Sequence, residues 1–404
     1  MTFKRLLPLF FITISILVKA EDPVPKFKLY GFVGNDFFYN SRLNQESTDG
    51  MISLFPKPID LNADGIDKNA VSQAEMLSIN TRIGLDINGA PVFGATSTAK
   101  IEADFAGFGA SFYVLRIRQA YVRLNWSKTE LLVGQTWHPM YGNVMPTTIS
   151  MNGGAPFQPF NRSPQIRLKQ NLSASLSLTA AALYQMQYIS QGPIGSSNTY
   201  LKNALIPDLF LGLEAKTKHW TSGIGGDVKT IKPLVEKITS VSAEAYTQYA
   251  NNKLLVKAKT IWGENMSDHL MLGGYGVTST VAGDSAYTNF NTLSSWINVL
   301  YGTRLQVGIL LGLSQNLGTN ELLAAKSTGK FTVYGYGSDN TNQTQINRFY
   351  RIAPSVIYHL PNMKFGIEYD FTSAVYGKLQ SNGRATNPYD VNNHRVIASV
   401  CYLF

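Results

Sequence analysis

A group of basic side chains surrounds one long segment of the chain, 139–163, and could give a passage a charge preference. The group and its two carboxylates are Arg82, Lys100, Glu102, Asp104, Arg116, Arg118, Arg123, Arg162, Arg167 and Lys169. Arg and Lys around a narrow, low-dielectric opening raise the local potential and favour anions. Carboxylates on a facing wall would add a transverse field. We predict that these residues line and constrict a passage. For a basic residue at an outer rim, contact with lipopolysaccharide is the alternative.

A second candidate site is an acidic stretch in the first long connection of the chain. Its candidate ligands are Asp60, Asn62, Asp64 and Asp67. Oxygen-bearing side chains at alternate positions, followed by Gly65, match the first half of an EF-hand calcium loop. The twelfth position is Val71 instead of the bidentate Glu that such a loop uses. The sequence therefore leaves two interpretations, a calcium site or an Asx-rich polar turn. No other cofactor is predicted.

Residues for enzymatic chemistry are scattered. The five histidines are His138, His219, His269, His359 and His394, and none has the spacing of a metal site. We predict that the protein is not an enzyme. A membrane-barrel enzyme of lipase or protease type is the alternative, because its catalytic pairs would not be recognisable from spacing.

The N-terminus has the pattern of a secretory signal peptide, predicted at 1–20. Lys4 and Arg5 precede an apolar run at 6–18, which is shorter than the ~20 residues that a membrane-spanning helix needs. Cleavage would also remove Lys19, leaving 32 basic and 26 acidic residues, a net charge of +6. This mild excess does not indicate a nucleic-acid partner. The single cysteine excludes an internal disulfide framework.

Strands must position the charged group, because polar and apolar residues alternate through most of 21–404. Leu305, Val307 and Ile309, for example, alternate with Gln306 and Gly308. We predict sixteen strands, near 27–40, 76–89, 96–108, 113–127, 129–138, 164–171, 174–189, 208–219, 220–231, 236–250, 252–264, 291–301, 303–315, 348–360, 362–376 and 392–404.

The alternation does not say which face of the sheet points inward, and the lengths of the connections indicate that the apolar face points outward. Those after even-numbered strands are short and those after odd-numbered strands are often long, as in bacterial outer-membrane barrels with short periplasmic turns and long extracellular loops. The predicted fold is therefore an all-β, 16-stranded antiparallel transmembrane barrel. Such a barrel must close, so 392–404 is expected to pair with 27–40. A soluble exported sandwich, with the same alternation inverted, is the alternative.

Two features of the predicted pore have alternative interpretations. The segment 139–163 is rich in Gly, Pro and aromatic residues, and we predict that it folds inward as the constriction; the alternative is a loop lying flat over the rim. Arg116 and Arg118 have the opposite phase to Arg123 on one strand. All three can face the interior only if a β-bulge near Gln119 changes the phase.

Two motifs resemble a known family. Residues 115–121 (LRIRQAY) and 132–137 (LVGQTW) resemble a strand pair of DcaP-like trimeric porins, and still more closely the porin-like outer-membrane proteins of Bacteroidota. The opening 28–33 and the closing strand fit the same family. The resemblance implies a 16-stranded homotrimeric channel for small, often anionic solutes. DcaP-like members can carry an N-terminal helical segment, and none is expected here.

These features predict a porin in the outer membrane of a Gram-negative bacterium. It would pass small hydrophilic, preferentially anionic solutes by diffusion through a water-filled barrel, surrounded by outer-membrane lipid and lipopolysaccharide. A barrel enzyme and a structural or adhesive barrel with a blocked lumen are the alternatives.

Overall fold

The structure is a computed structural model that describes residues 25–107, 114–142, 144–281 and 284–404. The predicted signal peptide, 1–20, lies outside the described residues. Within these ranges no helix has the length and apolar character needed to cross a membrane.

Nearly all regular structure is β. The strands are β1 (Lys26–Asn40), β2 (Asn44–Ser47), β3 (Ile52–Pro56), β4 (Gln73–Leu77), β5 (Arg82–Asn88), β6 (Thr96–Gly107), β7 (Val114–Asn125), β8 (Thr129–Trp137), β9 (Arg162–Asn171), β10 (Leu176–Leu183), β11 (Asp208–Lys216), β12 (Trp220–Ile231), β13 (Ile238–Ala250), β14 (Leu254–Glu264), β15 (Gly273–Val281), β16 (Asp284–Gly302), β17 (Leu305–Thr319), β18 (Val333–Tyr336), β19 (Ser338–Asp339), β20 (Thr344–His359), β21 (Met363–Leu379) and β22 (Ala385–Leu403). A short helix, α1, spans Thr199–Ala204, and a 3-10 turn spans Met266–His269.

Sixteen antiparallel strand positions close into a barrel. The wall consists of β1, β4 together with β5, β6 to β14, β16, β17, β20, β21 and β22. β1 pairs with β22 on one side and with β4 and β5 on the other. At the seam Gly31 and Phe404 exchange two backbone hydrogen bonds of 3.1 Å each. The predicted strand number, antiparallel order and closing pair are confirmed.

The wall is apolar outside and polar inside. On β21, Ile367 is 61% exposed, whereas its neighbour Glu368 is 2% exposed. On β17, Leu305 and Leu313 are likewise exposed while Ser314 is buried. An outward apolar surface suits contact with hydrocarbon, and the inverted pattern of a soluble barrel does not occur on these strands.

Two insertions from the long-loop rim occupy much of the interior. The inward position of the first, the hairpin β2–β3, was not predicted from the sequence. The hairpin β2–β3 buries Ile52 and Leu54, and the segment between β8 and β9 buries Met140, Phe157 and Phe160. These side chains form one apolar cluster with inward side chains of the wall. Open interior space therefore has to lie beside the insertions.

Candidate pore constriction

A β-bulge in β7 decides which of its side chains face inward. The register between β6 and β7 shifts at Arg118, which has no opposite residue. The extra residue lets Arg116 and Arg118 contact inward carboxylates before the bulge, and lets Arg123 contact inward groups after it. The exposed Ile117 and Val122 mark the outer face on either side. The bulge on which the sequence argument depended is present, so the two arginine sets share one face.

The two predicted carboxylates hold the β7 arginines directly. Arg116 donates from Nε and Nη2 to Asp104 at 2.6 and 3.1 Å. Arg118 donates from Nη1 to Asp104 at 2.6 Å and from Nε to Glu102 at 2.8 Å. Charge-assisted bonds of this kind fix the guanidinium planes. Because β6 and β7 are adjacent, these carboxylates do not face the arginines across the passage, and the predicted transverse field between opposite walls is not formed by them.

Arg82 and Lys100 lie next to this network. Arg82 approaches Glu102 (Nε to Oε1, 3.9 Å), and its side chain is 23% exposed. Lys100 pairs with Asp86 at 2.9 Å and donates to the Tyr30 hydroxyl at 3.0 Å. Both basic groups thus extend the charged wall toward β1.

The other three basic residues lie on the same wall, nearer the short-turn rim. Arg123 lies 3.7 Å from Glu130, and Lys169 lies 3.5 Å from Glu214. Their side chains are about one third exposed, at 34% and 32%. Arg167 occupies the neighbouring inward position of β9 and lines a cavity of about 180 Å³. Arg123 and Lys169 are therefore partly open to solvent, and each is paired only loosely.

Arg162 is fully buried, whereas a side chain on the surface of a passage would be partly exposed. Its guanidinium lies over the Trp137 ring, 4.4 Å from the centroid, and its Nε donates to Gln187 Oε1. Neither Nη1 nor Nη2 has a hydrogen-bond partner among the described residues. Arg162 therefore contributes an uncompensated positive charge from beneath the wall surface.

The segment between β8 and β9 crosses the interior and attaches to the far wall. Because polar side chains at inward positions of three distant strands bind it, a loop lying flat over the rim does not describe it. Lys259 Nζ donates to Met140 O (2.8 Å), Lys257 Nζ to Met145 O (2.9 Å) and Trp296 Nε1 to Gln158 Oε1 (3.0 Å), while Glu368 accepts bonds from Ile149 N (2.8 Å) and Ser150 N (3.1 Å).

Arg351 joins both insertions to the wall. It is buried on β20 and donates from Nε to Thr372 Oγ1 at 2.8 Å. Its Nη2 donates to Ser53 O and Leu54 O of the hairpin, at 3.1 and 2.8 Å. Its Nη1 donates to Ala155 O of the inward segment at 3.3 Å. One guanidinium thus binds three parts of the chain.

The acidic turn of the first loop is held by the protein's own donors. Asp67 Oδ1 accepts bonds from the backbone of Asp60 and Asn69, and Oδ2 lies 2.7 Å from Arg42. Partial burial alone would raise the pKa of Asp67, but these bonds and Arg42 lower it. Asn62 Oδ1 likewise accepts two backbone bonds. These contacts favour the Asx-rich turn, and calcium binding at this turn stays a prediction.

Sequence reasoning missed the residues that anchor the inward segment, Lys257, Lys259, Arg351 and Glu368. Each is a charged residue at an inward position of a predicted strand, so the signal was present. A strand pattern, however, does not tell a charge that faces water from one that binds a loop.

No family model and no curated protein sequence matches this chain. Among solved structures, the outer membrane channel DcaP of Acinetobacter baumannii superposes with a TM-score of 0.70 at 19% identity, over 94% of this chain and 97% of that chain. The fold is that of outer-membrane porins.

Two further structures share this porin fold. The anion-selective porin from Comamonas acidovorans superposes with a TM-score of 0.56 at 10% identity, over 94% of this chain and 100% of that chain. A loop L8 deletion mutant of OmpT, an outer membrane protein of Vibrio cholerae, gives 0.57 at 10% identity, over 95% and 100%. The predicted likeness to porins is confirmed at the level of the fold.

Proposed function

We propose that this protein is a porin in the outer membrane of a Gram-negative bacterium, passing small hydrophilic solutes by diffusion. The observation that carries the proposal is the closed barrel with an apolar exterior and a charged inner wall, whose interior is narrowed by two insertions. A 16-stranded barrel is wide enough for an aqueous channel. The inward segment is attached to β14, β16, β20 and β21, so the passage would lie between it and the charged wall of β5 to β9.

The charge of that wall supports a preference for anions. The part of the wall farther from the short-turn rim is a group formed by Arg82, Arg116, Arg118 and Arg162 with Glu102 and Asp104. Four guanidinium groups against two carboxylates leave a net charge of +2. Positive charge in a constricted passage concentrates anions and repels cations. The fold shared with the anion-selective porin from Comamonas acidovorans agrees with this direction.

The proposal includes a homotrimer surrounded by outer-membrane lipid and lipopolysaccharide. The likeness to porins, one of which was solved in a trimer form, supports three copies. The likeness of 115–121 and 132–137 to proteins of Bacteroidota supports that phylum as the source. Native mass spectrometry in detergent tests the assembly, and a monomer that conducts would contradict it.

Single-channel recording in planar bilayers tests the function. A porin of this design should give steps that close in threes, and a reversal potential on the anion side under a KCl gradient. A silent bilayer together with lipase or protease activity would favour the barrel-enzyme alternative. A silent bilayer without activity would favour a structural or adhesive barrel.

A further inference from the structure

Three ligand-type side chains converge inside the barrel although they are far apart in sequence. His138, Asp208 and Asp227 each offer one ligand atom, and these atoms lie within 4.8 Å of one another. His138 Nε2 is 3.6 Å from Asp208 Oδ2 and 3.6 Å from Asp227 Oδ1. No side chain of the three is more than 3% exposed. None of the three is among the basic residues and carboxylates predicted to line the passage.

The fold holds the three residues in place. Asp227 of β12 lies opposite Phe210 of β11, and Asp208 precedes Phe210 by two residues on the same inward face. His138 follows β8 directly and begins the inward segment, with its backbone N–H bonded to Asn161 O at 3.0 Å. The backbone N–H of Met140 donates to His138 Nδ1 at 3.2 Å, so Nε2 is the nitrogen that faces the carboxylates.

The cluster lacks the partners that buried polar groups normally have. His138 Nε2, Asp208 Oδ1 and Asp227 Oδ1 are buried without a hydrogen-bond partner among the described residues. The 3.6 Å separations are too long for hydrogen bonds. The adjacent cation, Lys229, is bound to Asp268 Oδ1 and donates to Asn265 O at 2.8 Å. Two buried acidic groups thus face one imidazole, and both can be ionised only if a further cation balances their charge.

We propose that His138, Asp208 and Asp227 bind one divalent transition-metal ion of the Zn²⁺ type. A tetrahedral ion with bonds of about 2.0–2.2 Å to nitrogen and oxygen holds its ligands roughly 3.4 Å apart, close to the separation found here. One imidazole with two carboxylates favours Zn²⁺ over Ca²⁺ or Mg²⁺, which bind oxygen ligands. A water molecule would take the fourth position, as at other zinc sites with three protein ligands.

Binding requires protons to move. In the metal-free imidazole Nδ1 accepts a bond, so the ring proton is on Nε2. The metal takes the place of that proton, which passes through water to Nδ1, so that the bond from Met140 is lost; any proton held between the two acids is released to solvent. One neutral hydrogen bond is lost, while two buried carboxylates gain a dication. The ion would join the start of the inward segment to β11 and β12, and would thereby fix the position of this segment.

Zinc uptake by the purified, folded protein in detergent tests the proposal. After removal of metal with a chelator, titration with Zn²⁺ alone should show one equivalent bound per chain. His138→Gln and Asp227→Asn should each weaken binding by at least about tenfold, since even outer ligand partners contribute that much. The matched controls, His394→Gln and Asp390→Asn, change residues outside the cluster and should bind as the wild type does.

Co²⁺ provides a measurement on the unmutated protein, in case a variant fails to fold. Bound at this site, Co²⁺ should show visible absorption of a low-symmetry complex, and X-ray absorption should show one imidazole with oxygen ligands. The proposal is overturned if the wild type takes up no Zn²⁺ beyond the level of the two cluster variants, or if the bound Co²⁺ has no imidazole ligand.

Discussion

Asp104→Asn is expected to increase anion preference, because Asp104 is the carboxylate that neutralises two arginines of the wall. It accepts bonds from Arg116 and Arg118 and is fully buried. Replacing the Asp104 carboxylate by a neutral amide would raise the net charge of its group, four arginines and two carboxylates, from +2 to +3. The Asn side chain keeps the size of Asp and can still accept from one guanidinium, so the wall should retain its shape.

The size of the effect follows from Coulomb's law. For a solute ion about 7 Å from the removed charge, the electrostatic energy of the ion changes by roughly 0.6 kcal/mol at a dielectric constant of about 80. Screening at about 0.1 M salt, where the Debye length is about 10 Å, reduces this to roughly 0.3 kcal/mol. Since the anion gains what the cation loses, the permeability ratio of anion to cation should rise about two- to threefold, and by much less at about 1 M salt.

The assay is the reversal potential under a KCl gradient, for Asp104→Asn, Arg116→Gln and the control Asp390→Asn. Asp390 is exposed and lies away from β6 and β7, so the same chemical change there should have no effect. Arg116→Gln should shift the reversal potential in the opposite direction. Conducting variants whose potentials do not move, or which both move in one direction, would refute the electrostatic reasoning.

Three other changes have defined outcomes. Arg167→Gln should lower anion preference, because Arg167 lines an inner cavity. The control is Arg304→Gln, in an exposed short turn, which should leave anion preference unchanged. Equal reversal potentials of the two variants would show that Arg167 does not act on ions in the pore. Arg351→Met should raise conductance and lower the free energy of unfolding by about 3 kcal/mol, since charged hydrogen bonds to both insertions are lost. Unchanged thermal unfolding and conductance would show that the insertions keep their positions without the Arg351 guanidinium. Gly312→Ala should lower conductance, because the added Cβ would lie 2.6 Å from the Phe157 ring and push the inward segment toward the arginine wall. The control is Gly226→Ala, where the atom nearest to the added Cβ is 3.7 Å away. Equal conductance of the two variants would contradict this packing.

The wall of the barrel was predictable because its outer surface has to be apolar at every second residue. The same regularity made the bulge visible, since Arg116 and Arg123 had conflicting phases. Regions inside the barrel follow no such rule. Ile52–Pro56 is buried on both faces between wall and inward segment, so it shows no alternation and was missed as a strand.

The candidate sites divide in the same way. The charged residues of β5 to β9 were found because they occupy polar positions in alternating strands. The group of His138, Asp208 and Asp227 was missed because its members come from three strands or strand ends, and only the register of β11 with β12 brings the two carboxylates together. Spacing along a chain carries no information about such a meeting point.

The extra residue at position 118 means that the length of β7 matters as much as its composition. A relative with the same arginines but one residue fewer would turn one of the two sets toward the membrane. When homologous chains are aligned, a one-residue gap here would therefore signal a different ion preference, even where the identity of the flanking residues is high.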